Sequence, residues 1–218
     1  FMAKPKHKVR IDWSPDFAYA IGLLATDGNL SPNGRQFDFT SSDIEQLENF
    51  KRCLGITNKI GYKKSGDGKR ISGRIQFGDV RFYAFLSDIG LMPNKSKRLR
   101  EIKIPNALFF DFLRGCFDGD GSFHSYWDKR WKSSFMFYVS FVSASMTHID
   151  WLQRKIFSFL KISGHVTKSI NSSAYQLKYA KADSLKLLPR IYYQRGIMRL
   201  SRKYLKIKRC LATLGLSL

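Results

Sequence analysis

The spacing of apolar residues along the 218-residue chain changes period in a fixed order, and the order occurs twice. The stretches "YAIGLLATDGNL" (residues 19–30) and "FLRGCFDGDGSF" (residues 112–123) are apolar runs around a glycine that end in an acid and a second glycine. Downstream of each comes an alternating segment, a serine cluster and the 3.6-residue spacing of an amphipathic helix. These are "FDFTSSDIEQLENFKRCLGI" (37–56) and "YVSFVSASMTHIDWLQRKIFSFLKI" (138–162). Two hairpin patterns follow, "NKIGYKKSGDGKRISGRIQF" (58–77) turning at 66–68 and "GHVTKSINSSAYQLKYA" (164–180) turning at 171–173. A further helical segment lies near 80–89 and again near 183–193. Each copy therefore reads helix, two strands, helix, two strands, helix. The pattern predicts an α+β chain of two similar halves, residues 12–104 and 105–218, behind a basic tail of residues 1–11.

Gly22 matches Gly115, Asp27 matches Asp120 and Gly28 matches Gly121 at one constant shift of 93 residues. That is the length of a small domain rather than of a solenoid repeat. The first helix has clear start signals in Ser14 as N-cap, Pro15 in the first turn and Asp16 after it. The second is expected to begin near Pro105 and Asn106. Both are expected to stop at the Asp-Gly pair, with Gly28 and Gly121 left-handed. Asp27 and Asp120 then sit at helix C-termini, the wrong end for a negative charge, at a cost of roughly 0.3–1 kcal/mol each that a nearby cation would reverse.

Gly22 and Gly115 lie inside their helices, where glycine costs roughly 1 kcal/mol against alanine. Close helix-to-helix approach would explain both. Helices crossing there would bring Asp27 and Asp120 together as oxygen ligands for a hard divalent cation. A single Asp-Gly pair is an ordinary turn, and only two copies in register favour the joint role.

Composition narrows the partner. Lys and Arg number 38 against 17 Asp and Glu, a formal charge of +21, and 44% of residues are hydrophobic, enough for a core. Positive charge spread along the whole chain suggests a polyanion, with nucleic acid ahead of an acidic membrane surface. No apolar run approaches the roughly 20 residues of a bilayer span, so a soluble protein is expected. The basic N-terminus lacks the apolar stretch of a secretory signal. Cys53, Cys116 and Cys210 are odd in number and far apart, against a disulfide framework or zinc sites. An intracellular, reducing setting is expected. His7, His124, His148 and His165 show no metal-ligand spacing; His124, three residues past the second motif, is the one to follow.

"AIGLLATDG" (20–28) and "LRGCFDGDG" (113–121) resemble the two motifs of a single-chain LAGLIDADG homing endonuclease. The second copy has both motif acids, whereas the first has Ala25 where the earlier aspartate often stands. The resemblance spans nearly the whole chain through the duplicated element order. It implies two αββαββα halves, motif helices at a pseudo-twofold axis, and two antiparallel sheets forming a saddle over DNA. It further implies a monomer that hydrolyses both strands of a long, poorly symmetric duplex site, leaving short 3′ overhangs, in an organellar or prokaryotic host. Mg²⁺ is the implied cofactor, with Mn²⁺ able to substitute and Ca²⁺ binding without turnover. Asp27 and Asp120 are the implied metal acids, and the carbonyls of Thr26 and Gly119 would join them. "GLMPNKSKRLREIKIP" carries the implied active-centre lysine at Lys95, and "MRLSRKYLKIK" offers Lys203, with Arg202 beside it.

Strand alternation sorts the side chains that would face DNA. In "RQFDFT", Phe37 and Phe39 point inward, leaving Gln36, Asp38 and Thr40 outward. In "KRISGRIQF", Ile71, Ile75 and Phe77 go inward, and Arg70, Ser72, Arg74 and Gln76 point out with chemistry suited to base edges. In the second copy Ser134, Met136, Tyr138 and Ser140, then Gln176 and Lys178, are the outward sets. Lys59, Lys63, Lys129, Arg130 and Lys132 are candidate phosphate contacts. An ordinary solvated sheet face is the alternative for any one of these. Two other functions remain open on the same fold: an intron RNA maturase and a DNA-binding regulator without catalysis.

Overall fold

The computed structural model describes residues 7–64, 68, 71–131, 134–169 and 173–218. Ser14 accepts the Phe17 amide at 3.2 Å and Pro15 fills the first turn, opening α1 (Pro15–Thr26) as the sequence implies. Then follow β1 (Gly28–Leu30), β2 (Gln36–Ser41), α2 (Ile44–Leu54), β3 (Gly61–Lys64), β4 (Ile71–Gly78) and α3 (Val80–Asp88). Two 3₁₀ turns, Lys95–Lys97 and Asn106–Leu108, lead to α4 (Phe109–Asp118). The order repeats in β5 (Ser122–Trp127), β6 (Phe135–Ser143), α5 (Met146–Leu160), β7 (His165–Lys168), β8 (Tyr175–Tyr179) and α6 (Lys181–Ile191). A further helix, α7 (Ser201–Ala212), ends the chain and lies outside the element order expected from the sequence.

The strands form two four-stranded antiparallel sheets, ordered β1-β2-β4-β3 and β5-β6-β8-β7. Their inner faces pack on helices by the expected alternation. Phe37, Phe39, Ile75 and Phe77 are buried from the first sheet, and Phe137, Val139, Leu177 and Tyr179 from the second. Phe37 meets Phe77 across the strands at 5.0 Å, and Phe39 stacks on Phe50 of α2 at 4.3 Å. Aromatic pairs of this kind add roughly 0.5–1.5 kcal/mol beyond their burial. α1 and α4 are buried almost throughout, because each packs against both the other motif helix and its own half.

Three expectations are corrected. Neither Gly28 nor Gly121 has a positive φ; α1 closes at Asp27 with φ −89° and α4 at Gly119 with φ −68°. These glycines serve close approach instead. A Cβ on Gly28 would lie 2.7 Å from the Leu24 carbonyl oxygen and one on Gly121 2.6 Å from that of Phe117, since the chain leaves each helix folded against its last turn. Ile71 has inward parity but is 64% exposed, because the β3–β4 hairpin runs past its helical cover opposite exposed Lys64. Ser140 lies on the outward face as its parity implies, though little exposed, its hydroxyl 2.7 Å from that of Ser122 across β5 and β6. Ser134 precedes β6 and donates its amide to the Trp131 carbonyl at 2.7 Å. Arg70 and Lys132, with most of both hairpin turns, lie outside the described residues.

Candidate active site at the motif-helix ends

α1 and α4 cross at the two motif glycines. A Cβ on Gly22 would stand 2.9 Å from the Gly115 Cα, and one on Gly115 2.9 Å from the Gly22 Cα. The backbones therefore touch, which explains glycine at two otherwise costly helical positions. Beyond the crossing, the helix ends abut. A Cβ on Gly119 would come 3.0 Å from Asp27 Oδ2 and 2.8 Å from the Thr26 Cβ.

Asp27 is pushed up to about 6, first by burial and then by the negative charge of Asp120, while Lys203, Lys95 and the Gln46 amide pull it back. Asp120, the more exposed of the two, is raised by partial burial against the pull of Lys95 and Lys203. A carboxyl raised by its neighbour's charge, as Asp27 is by Asp120, marks two acids close together.

The cations that helix C-termini favour are present. Lys95, only 8% exposed, donates Nζ to the Thr26 carbonyl at 2.9 Å. Lys203, 9% exposed, donates Nζ to the carbonyls of Phe117, Asp118, Gly119 and Gly121 at 2.6, 2.8, 2.9 and 2.7 Å. Burial lowers both, Lys203 to about 8, against the opposing pull of nearby carboxylates. The two lysines occupy equivalent ends of the helix pair, one on the carbonyl before each acid.

Three side chains escaped the sequence reading. Gln46, 3% exposed, points its Nε2 at Asp27 Oδ2 (3.4 Å) and the Asp118 carbonyl (3.2 Å), while Ser41 donates to its Oε1 at 2.6 Å. Asp118, the earlier motif acid, is fully buried and accepts from the Tyr19 hydroxyl at 2.8 Å and the Leu200 amide at 2.7 Å. Arg114, equally buried, pairs with Asp111 at 2.8 Å and donates to the carbonyls of Met198 (2.8 Å) and Ile191 (3.1 Å). A charged pair within an apolar helix was the available signal for the last two.

The donor set fits a hard divalent cation. Asp27 and Asp120 supply two carboxylates at the abutting helix ends, both raised first by burial. Among the described residues no group of three or more His, Cys, Asp or Glu gathers. A cation would therefore rest on these two acids with carbonyl, water or phosphate oxygens, a mixture that suits Mg²⁺.

The outward sheet faces differ between the halves. On the first, Arg74 donates Nε to Asp38 Oδ2 at 2.7 Å and contacts it again through Nη2, so this pair is neutralised internally. Thr40 donates to Asp38 at 3.1 Å, Asn33 donates to Gln36 at 2.9 Å, and Gln76 is exposed. Ser72 sits opposite Lys63 in the register. On the second sheet Ser122, His124, Tyr126, Tyr138, Ser140, Gln176 and Lys178 line one shallow concavity together with His165 and Thr167. Ser122, Tyr126, His165 and Thr167 lie on the edge strands, and alternation applied to the inner strands alone does not reach them. Lys59, Lys63 and Lys129 are exposed, as is Arg130, which also donates to Asp128.

No protein-family model matches the chain, and no curated protein sequence matches it. Solved structures do. The LAGLIDADG homing endonuclease I-LtrWI bound to target DNA is 12% identical with a TM-score of 0.61, covering 92% of this chain and 91% of its own. The meganuclease I-SmaMI bound to uncleaveable DNA is 16% identical with a TM-score of 0.61, over 92% and 91%. The N-terminal LAGLIDADG domain of DUF199/WhiA is 18% identical with a TM-score of 0.54, over 87% and 88%. Identities this low speak for architecture, and the architecture that the crossed glycines, abutting acids and paired sheets build here is the duplicated LAGLIDADG fold.

Proposed function

We propose that this chain is a site-specific double-strand DNA endonuclease that hydrolyses phosphodiester bonds with a divalent cation. The observation that carries the reading is the abutment of the crossed helix ends that bear Asp27 and Asp120, with Gly119 against Asp27 and with Lys95 and Lys203 on the carbonyl before each acid. The charge of +21 and the outward polar rows of two sheets support DNA as the partner. The DNA-bound states of I-LtrWI and I-SmaMI support it too.

In this reading Asp27 and Asp120 hold the cation, with the carbonyls of Thr26 and Gly119 beside them. Bound there, Mg²⁺ would make water nucleophilic at neutral pH and stabilise the departing oxygen. The chain's own share is charge and position. Water adds to phosphorus and gives up a proton to solvent, the bond to one sugar oxygen breaks, and that oxygen leaves with the electron pair and takes a proton from solvent. Lys95 and Lys203 keep positive charge where the phosphate gains negative charge, one on each side of the pseudo-twofold axis. Gln46 holds the Asp27 carboxylate in orientation through its amide.

One observation favours binding without cleavage: the Thr26 and Gly119 carbonyls already accept lysine ammonium groups. Selecting cut sites from a randomised duplex library with Mg²⁺ separates the two. Cutting that disappears in Asp27→Asn and Asp120→Asn while DNA binding in Ca²⁺ persists is the expected result. A wild-type protein that binds selected duplexes but never cuts them would leave the regulator reading standing.

A further inference from the structure

The segments that carry the two lysines are hydrogen-bonded by the opposite half of the molecule. Around Lys203, the Arg199 carbonyl accepts from the Asn49 side chain at 2.8 Å. The Ser201 amide donates to both carboxylate oxygens of Glu45 at 3.1 Å, and Arg202 donates Nε to Asp43 at 2.7 Å. Asp43, Glu45 and Asn49 belong to the N-cap and first turns of α2. Around Lys95, the relation is reversed. The Leu99 carbonyl accepts from the Thr147 hydroxyl at 3.0 Å and from that of Ser145, and the Arg100 carbonyl accepts from His148 Nδ1 at 2.7 Å. These donors sit at the N-cap and first turn of α5. The Leu99 amide in turn donates to the Lys95 carbonyl at 2.7 Å, closing the turn that presents the lysine.

The same part of the same helix does this in both copies: the N-caps are Asp43 and Ser145, and Glu45 corresponds in place to Thr147. For Lys203 the two sources alternate along the chain. Its own half fixes the Met198 carbonyl and the Leu200 amide through Arg114 and Asp118, and the other half fixes Arg199, Ser201 and Arg202. A long lysine side chain loses up to about 2 kcal/mol of rotamer freedom when held, so its aim depends on a backbone fixed from both sides.

We propose that each half positions the lysine of the other, through Glu45 and Asn49 for Lys203 and through Thr147 and His148 for Lys95. These four are positioning residues rather than catalytic ones. Together they couple cleavage of one strand to the integrity of the opposite half. The inference rests on the nuclease reading for its consequence, but the anchoring itself does not.

Two full-length double variants test it, Glu45→Ala with Asn49→Ala and Thr147→Val with His148→Asn. Amide hydrogen exchange followed by mass spectrometry is expected to rise in peptides covering 198–204 for the first and 95–101 for the second, each leaving the other segment protected. With Mg²⁺ and a duplex labelled on both strands, the first variant is expected to slow by at least about tenfold the same strand that Lys203→Met slows. The second is expected to slow the strand affected by Lys95→Met, so nicked product accumulates in both. Glu45→Gln, which keeps an acceptor for the Ser201 amide, is expected to restore much of the rate. Exchange that rises equally in both segments, or that does not change, overturns the proposal, as does equal slowing of both strands. A wild-type protein that cuts nothing defeats the nuclease reading, and the exchange measurement alone then decides the anchoring.

Discussion

Gly22 and Gly115 lie back to back, each leaving no room for a single carbon on the other's side of the helix crossing. Alanine at either position would gain roughly 1 kcal/mol of intrinsic helix preference. Overpacking outweighs it, because the neighbours are backbone atoms that cannot rotate away and such insertions cost roughly 1–3 kcal/mol or more. Gly22→Ala and Gly115→Ala are each expected to lower unfolding free energy in urea titrations. A midpoint at or above that of the wild type would contradict the crossing.

The two lysines should not be equivalent in stability. Lys203→Met takes its ammonium from the Phe117, Gly119 and Gly121 carbonyls, while the Asp118 carbonyl keeps the Gln46 amide; Lys95→Met releases one carbonyl. With roughly 1–3 kcal/mol for each buried acceptor left without a partner, Lys203→Met is expected to lower the melting temperature the more. Calorimetry of the two variants checks the order, and equal losses would argue against the four-carbonyl arrangement.

His148 makes a pH prediction. Burial lowers its pKa to about 4, although the Arg100 carbonyl opposes the shift and the charge of Lys95 adds to it. The unfolded chain takes up a proton at this residue near 6.5 and the folded chain does not until about 4. Stability is therefore fully present above 6.5 and falls as pH drops towards 4, by up to about 3 kcal/mol. His148→Asn is expected to flatten this limb of a plot of unfolding free energy against pH. A limb of unchanged slope would show that other groups account for it.

Salt dependence reports the partner. If about 6–10 phosphates are engaged, affinity for duplex DNA is expected to fall by roughly 10³–10⁵ between 50 and 200 mM salt. Fluorescence anisotropy across that range measures the slope. A nearly flat line would remove the polyelectrolyte argument.

Local features of this molecule were legible in the sequence because they repeat or alternate. The motif glycines and acids stood in register 93 residues apart, and Phe37, Phe39, Ile75 and Phe77 declared their faces by a period of two. Lys95 was legible only through the resemblance of its segment to the LAGLIDADG family. Features that depend on distant packing were not legible. Gln46 meets Asp27 only because α2 lies against α1, and Arg114 finds Met198 and Ile191 only because α6 and α7 return to α4. α7 has no partner in the first copy, so the repeat that revealed everything else was silent about the helix that delivers Lys203. Gly28 and Gly121 were legible as special but not in kind, since crowding and handedness both select glycine and only the folded chain separates them.

The exchange of hydrogen bonds between α2 and the approach to α7, and between α5 and the turn after Lys95, constrains how the molecule could be re-engineered. A chimera joining either portion to a foreign mate would inherit a lysine arm whose supports stayed behind with the discarded piece. Transplanting the receiving residues along with the arm is then the minimum graft. Two identical copies of one portion would likewise leave each arm facing a surface shaped for the other.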